Sequence, residues 1–496
     1  MSLASWVCNV LGANVARLFL GAQEMKRYLK KLVCSISIIL LIAGCAPETT
    51  VPFREDYITV KEKKWLAKAY RYDKNGWIFL HIEGEPFERG FQRGYLTANE
   101  IDELLNTMAY ILKFETAKDL DFFVEAATKL FKGKVSKEYT EEMKGMVAGM
   151  EKAGKRITFD QMLFLNGFID ICWYWWPHKK ESMGPGCSAF IATGEATADG
   201  KIVMAHNTWS GYADAQFCNI IVDIAPDNGH RILMQSWGPL IYSGTDFFIT
   251  SAGLVGTETT IGAFRGFYRK GTPVFERARK AMQYANSIDE WADIMIKNNN
   301  GAYANSWLLG DINNGEIARL ELGLKHHSFE KKTTGYISGS NVTDNIEILR
   351  NETTASYDDI RDGRVARRER WKQLMKEHYG KIDSEIAKQM LADHYDMYLQ
   401  KENPCSRTIC GHAELDDGSV PGGWGAYVSG GALDGKVVDS DLAKNWRFWA
   451  KWGSSCDIGF NAKEFLEKHT QYDWLQGYLK DIPAEPWTIF PVKESE

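Results

Sequence analysis

The stretch Gly184-Pro185-Gly186-Cys187-Ser188-Ala189-Phe190, followed by an apolar run, a turn and Ala205-His206-Asn207-Thr208-Trp209, decides how this chain is read. The small, flexible lead-in lets the backbone adopt the unusual geometry in which its own carbonyl can be attacked, and Gly186 leaves that carbonyl sterically open. Residues 188–193 and 201–205 both suit strands, and Ala198-Asp199-Gly200 between them supplies hairpin turn chemistry. The hairpin returns His206 and Asn207 to the end of the sheet where Cys187 sits. A thiol and a polar cluster thus meet one hairpin apart, as an activated nucleophile requires. We therefore read Cys187 as a residue that becomes a new N-terminus when the Gly186–Cys187 bond is cut. Taken alone, a cysteine at a strand start is more often an inert buried hydrophobe.

Upstream, the pattern is mostly helical. After a strand at 77–83, apolar spacing suits a long helix over 87–114, with Gly90 and Gly94 as weak points, and further helices over 120–131, 137–153 and 159–168. The aromatic run Ile171-Cys172-Trp173-Tyr174-Trp175-Trp176-Pro177 either packs this helical layer onto a sheet or lines an acyl pocket. Downstream of Cys187 the pattern alternates: strands at 217–224 and 231–237 flank Pro226-Asp227-Asn228-Gly229, and 247–251 and 254–261 extend the sheet. A helix opened by Pro273 runs to about 297, strands at 306–311 and 316–322 turn at Asn313-Asn314-Gly315, and 336–338 adds another. Helices return at 361–378 and 384–394, and the glycine-rich 418–435 reads as an exposed or substrate-adjacent loop. Strand, helix, strand order of this kind suits an α+β sandwich of two sheets flanked by helices.

The chain has 496 residues, 45% hydrophobic and 25% charged, the composition of a globular protein with a sizeable core. A net charge of -6 without a long basic run argues against nucleic acid as partner. Its 17 Trp fit either a large aromatic core or a lipid- or carbohydrate-binding surface. Met25-Lys26-Arg27 with Lys30 and Lys31, the apolar 32–42 and Ile42-Ala43-Gly44-Cys45 resemble a bacterial lipoprotein signal, with Cys45 lipidated. The expected organisation is an overextended start at 1–24, a signal peptide at 25–44, a mostly helical region at 45–186 and a catalytic region at 187–496. That address is the bacterial cell envelope, anchored to membrane through Cys45. There, Cys405 and Cys410 form a candidate short-loop disulfide; zinc held by Cys405, Cys410 and His412 is the rival, but their spacing fits no standard finger. We expect no metal and no cofactor.

Beyond Cys-Ser-Ala-Phe and Ala-His-Asn-Thr-Trp, three blocks keep order and spacing: Tyr-Ser-Gly-Thr-Asp-Phe-Phe at 242–248, Gly-Leu-Val-Gly-Thr-Glu-Thr-Thr-Ile at 253–261 and Gly-Ala-Tyr-Ala-Asn-Ser-Trp at 301–307. Together they resemble the phospholipase B-like family and, more distantly, the bile salt hydrolase and isopenicillin acyltransferase group, all N-terminal nucleophile (Ntn) hydrolases. The resemblance implies an Ntn αββα sandwich with a helical pro-region and pieces that stay associated after self-cleavage. It also implies a two-stage chemistry. The Cys187 thiol first attacks the Gly186 carbonyl and the ester is hydrolysed; the freed α-amine, with a pKa of roughly 8, then serves as base while Cys187 attacks a substrate acyl group. Asn305 takes the oxyanion role by resemblance, with a backbone N–H near Thr260 as second donor. His206 is a third catalytic candidate, tuning the thiol, shuttling protons or holding the substrate; Asn207 and Trp209 are candidates for binding, and Asp246 and Glu258 weaker ones. Bile salt hydrolases carry Arg and Asp where His206 and Trp209 stand here, which makes bile salt conjugates doubtful.

The leading expectation is an exported, self-processing cysteine hydrolase acting on an acyl ester or amide of a small molecule or lipid. An N-acyltransferase, or an amidase of N-acyl amines or peptides, would use the same constellation. A non-catalytic surface lipoprotein binding lipids or glycans would have no reason to cut itself at Gly186–Cys187.

Overall fold

Asn75 and Gly76, both at positive φ, make the tight turn that Asn-Gly favours, and join β1 (Tyr70–Lys74) to β2 (Trp77–Gly84). The structure, a computed structural model, describes residues 58–176, 186–244, 247–419 and 424–492. After β2 come five helices, Pro86–Leu96, Ala98–Thr116, Leu120–Phe131, Lys137–Lys152 and Phe159–Asn166, and a π-helical turn at Ile169–Trp175. β3 (Cys187–Gly194) and β4 (Gly200–Gly211) form the expected hairpin. Then follow β5 (Ile220–Pro226), β6 (Ile232–Ser236), β7 (Phe247–Thr250), β8 (Leu254–Thr260), β9 (Asn305–Asp311), β10 (Glu316–Leu322), β11 (His327–Lys332) and β12 (Gly335–Gly339). Downstream lie the short pair β13 (Tyr395–Asp396) and β14 (Lys401–Glu402), then β15 (Gly430–Asp439), β16 (Phe448–Trp452) and β17 (Thr488–Phe490).

These strands build two large sheets. One has nine strands in the order β1-β2-β5-β6-β7-β8-β9-β10-β11, and the other six, β12-β3-β4-β15-β16-β17. Strand alternation explains how they stack. On β3 and β4, Ile191, Ile202 and Met204 join the large core shared with Leu308, Leu309 and Val255 of the first sheet. Phe190, Ala192, Val203 and Ala205 point the other way, onto Trp371, Met375, Met390 and Leu391 of helices Gly363–Glu377 and Ser384–Leu391. Helices thus cover the far side of the second sheet, and the N-terminal helices with Val274–Tyr284 and Ile288–Ile296 pack on the first. The architecture is the expected αββα sandwich.

The segment before Cys187 belongs to the same body, since Val60–Glu496 forms one compact unit. β2 runs parallel to β5, in register from Ile78 opposite Ile220 to Gly84 opposite Pro226. Arg93, fully buried, donates to the carbonyls of Trp237 and Gly238 at 2.7 and 2.8 Å. Glu142, also buried, takes Arg89 Nε at 2.7 Å and Arg279 Nη1 at 3.0 Å, tying this helical layer to Val274–Tyr284.

Four expectations need correction. The helix over 87–114 breaks at Thr97, and the one over 273–297 breaks before Ser287, whose side chain caps Ile288–Ile296 through Glu290 N–H. Gly90 and Gly94 are contact points rather than weak points: a methyl group there would overlap the carbonyls of Glu142 and Met146, while Gly145 and Gly149 meet Phe87 and Phe91 reciprocally. The glycine-rich 418–435 is not simply an exposed loop. Its end enters β15, which lies beside β4 with Gly430 opposite Gly211, and Gly435 makes room for Ser455 and Trp487. Cys45 and the signal segment lie outside the described residues; among those described, no helix is long and apolar enough to cross a membrane.

The helix contact is testable through its sign. Alanine for glycine inside a helix ordinarily stabilises by about 1 kcal/mol. At Gly94 we expect the overlap to dominate and Gly94→Ala to destabilise by about 1–3 kcal/mol in denaturant unfolding; an unchanged or higher midpoint would contradict this packing.

Candidate active site

The start of β3 is held by three polar contacts on consecutive backbone groups. The Gly186 carbonyl accepts from Trp209 N–H at 2.8 Å, continuing the ladder in which Cys187 opposes Thr208. The Cys187 N–H donates to Asn341 Oδ1 at 2.9 Å, and the Cys187 carbonyl accepts from Arg367 Nη1 at 2.5 Å. Arg367 also donates to Asn341 Oδ1 at 2.9 Å and lies 4.4 Å from the Trp209 ring centre, a cation–π contact. Burial, opposed by the neighbouring Cys187 and Asp362, lowers the Arg367 guanidinium to about 10, which leaves it charged at neutral pH.

The side chains converge from the facing sheets. Cys187 Sγ lies 3.6 Å from Glu258 Oε1 on β8, and donor atoms of Cys187, His206 and Glu258 all fall within 4.8 Å of one another. Such a Cys-His-Glu set is also chemically able to ligate a borderline metal ion. Glu258 is buried, with the Tyr303 hydroxyl 3.3 Å from Oε1 and Thr260 Oγ1 3.3 Å from Oε2. Tyr303 and Asn341 both sit at positive φ, 55° and 71°. For a tyrosine this conformation costs about 1–3 kcal/mol, a strain that gathers at functional sites.

His206 is fully buried and neither ring nitrogen makes a hydrogen bond of normal geometry. Its pKa lies well below the ordinary histidine value because burial and then the Lys436 cation disfavour a second positive charge, against a weaker pull from the Glu258 backbone. Lys436 itself is occupied, 2.5 Å from each of Thr208, Gln235 and Asp434. Asn305, opposite Thr260 in the β8–β9 pairing, is buried with both amide atoms unpaired. A buried, uncommitted amide is what a transition-state donor looks like before substrate arrives. The Thr260 carbonyl accepts from Asn341 Nδ2 at 2.7 Å, which links this strand end to the Cys187 amide.

Other expected residues fall elsewhere. Asn207 follows His206 on a strand, so it faces the opposite side. Its Nδ2 donates to the Leu391 and Ile409 carbonyls at 2.8 and 3.2 Å, and its Oδ1 accepts from Ser455 at 2.7 Å. It ties loops together and takes no part in the cluster. Trp209 shares that face, its indole N–H 3.3 Å from the Ile409 carbonyl, and serves the site through its backbone amide. Asp246 lies outside the described residues. Within the aromatic run, Trp176 packs on Phe122 and Phe123, while Trp173 contacts Tyr303 and Tyr174 contacts Phe264. The expected disulfide is not present in the structure, where Cys405 and Cys410 are separate thiols. Cys405 accepts from Arg407 N–H at 3.4 Å, whereas Cys410 faces His412.

Sequence reading missed Asn341 and Arg367. They lie 154 and 180 residues downstream of Cys187, one after β12 and the other in an arginine-rich helix, with no local motif. Glu258 was legible as the acidic residue of the block Gly-Leu-Val-Gly-Thr-Glu-Thr-Thr-Ile at 253–261.

A family profile described as Phospholipase B matches residues 69–353, more than half of the chain. An uncharacterised protein of Archaeoglobus fulgidus is 25% identical over 48% of this chain and 42% of its own. Putative phospholipase B-like 2 of Rattus norvegicus is 32% identical over 27% of this chain and 26% of its own, so the chain spans less than half the length of either relative. Phospholipase B-like 1 of Bos taurus is 25% identical over 85% of this chain and 90% of its own. Penicillin V acylase from Agrobacterium tumefaciens overlays 54% of this chain and 83% of its own at 12% identity, with a TM-score of 0.29.

Since burial and Lys436 both push the imidazole pKa down, His206 is neutral throughout the mildly acidic range. Histidine NMR from pH 8 to pH 5.5 is expected to show a non-titrating ring signal that disappears in His206→Gln; a ring assigned to His206 titrating near its free value of about 6.5 would contradict its buried placement.

Proposed function

The chain belongs to the phospholipase B family, and we propose that it is a self-processing hydrolase in which Cys187 cuts its own chain and then cleaves acyl esters or amides. The observation that carries this reading is the hold on the Gly186–Cys187 peptide. The carbonyl to be attacked already accepts a backbone N–H from Trp209, the thiol lies beside a carboxylate, and a buried guanidinium sits on the next carbonyl.

In the uncut chain the Cys187 nitrogen is an amide and cannot act as base. Glu258 Oε1, 3.6 Å from Sγ, is within reach of the thiol proton. Transfer of the Sγ proton to Glu258 moves one negative charge from carboxylate to sulfur beside Arg367, so no net buried charge is created. Sulfur then bonds to the Gly186 carbonyl carbon, the oxyanion builds at the atom that Trp209 N–H contacts, and the C–N bond breaks as the Cys187 nitrogen takes a proton. Water hydrolyses the thioester to a Gly186 carboxylate and a free thiol. The new α-amine stands where Asn341 Oδ1 can orient it, and it serves as base for the second stage. There the sulfur takes the acyl group, Asn305 Nδ2 donates to the oxyanion, and water releases the acid.

Trp173, Tyr174, Phe264 and Tyr303 supply an apolar wall near Glu258 that suits an acyl chain. The β2–β5 pairing and the Arg93 contacts favour association of the two pieces after cleavage. Export as a lipoprotein anchored at Cys45 is part of the same proposal.

Intact mass and N-terminal sequencing of purified protein test it. Wild type is expected as two co-eluting pieces, the second beginning at Cys187, with Cys187→Ala a single chain and Glu258→Gln cleaving about 100-fold or more slowly. Wild type that hydrolyses acyl substrates as a single chain would remove self-processing, and activity retained in Cys187→Ala would remove the nucleophile.

A further inference from the structure

On the far side of Trp209 from Gly186, two thiols and two imidazoles converge. Cys410 Sγ lies 3.7 Å and Cys456 Sγ 3.2 Å from the same atom, His412 Nε2, and a ring nitrogen of His394 completes a set whose donor atoms all fall within 4.8 Å of one another. The His394 and His412 rings meet edge to face with centroids 5.1 Å apart. Zinc bonds of about 2.0–2.3 Å in tetrahedral arrangement separate neighbouring donors by about 3.3–3.8 Å. The spacing here is of that kind.

The surroundings point the same way. His412 presents Nε2 to both sulfurs because its Nδ1 is engaged by Glu414 Oε1 at 2.7 Å, and Glu414 Oε2 is in turn 3.2 Å from the Tyr212 hydroxyl. A carboxylate on the rear nitrogen is what fixes the tautomer of a metal-ligating histidine. His394 Nε2 is buried without a hydrogen-bond partner of normal geometry. Two thiolates with two neutral imidazoles are donors that select zinc over calcium or magnesium.

We propose that His394, Cys410, His412 and Cys456 bind one structural zinc ion. The set differs from the one weighed from sequence, with His394 and Cys456 joining in place of Cys405. Its ligands come from three separated segments, so no finger-like spacing announces it. Four protein ligands leave no open position, which makes the role structural rather than catalytic. The ion would staple the loop carrying Cys410 and His412 to the turn after β16. That loop passes directly over the Trp209 ring at Gly411, where any side chain would overlap the indole. Zinc therefore backs the residue whose amide holds the Gly186 carbonyl. The inference does not depend on the proposed catalytic chemistry.

The test is metal content of the full chain by mass spectrometry, with cobalt replacement of the ion in wild type. About one zinc per chain is expected, together with the intense visible absorption of tetrahedral cobalt and a thiolate-to-cobalt charge-transfer band. Cys456→Ser should lose the metal, while Cys405→Ser and Cys187→Ala keep it. Glu414→Gln should weaken zinc affinity about 10–100-fold with the cobalt spectrum still tetrahedral. The cobalt spectrum of wild type stands even if Cys456→Ser fails to fold. A Cys410–Cys456 disulfide in unreduced protein, an octahedral cobalt spectrum, metal-free protein that takes up no zinc, or metal lost in Cys187→Ala but kept in Cys456→Ser would each overturn the proposal.

Discussion

The hydrogen bond from the Trp209 amide to the Gly186 carbonyl is the contact on which the rest of the site depends. It is the last rung of the β3–β4 hairpin, and it holds the peptide preceding Cys187 in sheet geometry. The two sheets, the loop that crosses the Trp209 ring and the Gly363–Glu377 helix that carries Arg367 all bear on that rung. A side chain at Gly186 would come within 3.1 Å of the Trp209 indole, so the ring would have to give way slightly to admit one. Local sequence creates the turn, the turn sets the register, and the register decides which backbone groups meet.

Polar groups around this rung are costly to bury and are arranged to limit that cost. Arg367 spreads its charge over two acceptors on Cys187 and Asn341 and an aromatic face. Glu258 is met by Tyr303, Thr260 and the thiol. His206 avoids the problem by staying neutral. Beside the thiol, the Asn305 amide and the His206 ring are among the buried groups that lack partners of normal geometry. Each such buried group costs about 1–3 kcal/mol when unpaired.

Much of this was legible in sequence, and the failures have physical causes. The hairpin, the two sheets and the convergence of Cys187 with His206 follow from apolar alternation and turn residues. Asn207 was misplaced because adjacency in sequence was taken for adjacency in space, although alternate strand residues face opposite sides. Gly90 and Gly94 read locally as weak points and Gly435 as part of an exposed or substrate-adjacent loop, yet each makes room for a neighbouring segment, a tertiary property that no local pattern carries. Asn341, Arg367 and Cys456 reach their partners through loop and helix geometry set by the whole core. Edge strand β11, with mostly polar residues, lacks the alternation that reveals a buried strand.

The central claim is that Cys187 sulfur carries the acyl group. Its most direct measurement is acid quenching of the full-length protein during turnover of a simple acyl ester, followed by peptide mapping by mass. Catalysis by Cys187 predicts the added acyl mass on the peptide beginning at Cys187, released by hydroxylamine as a thioester is. Acyl mass on any other residue during turnover would contradict it.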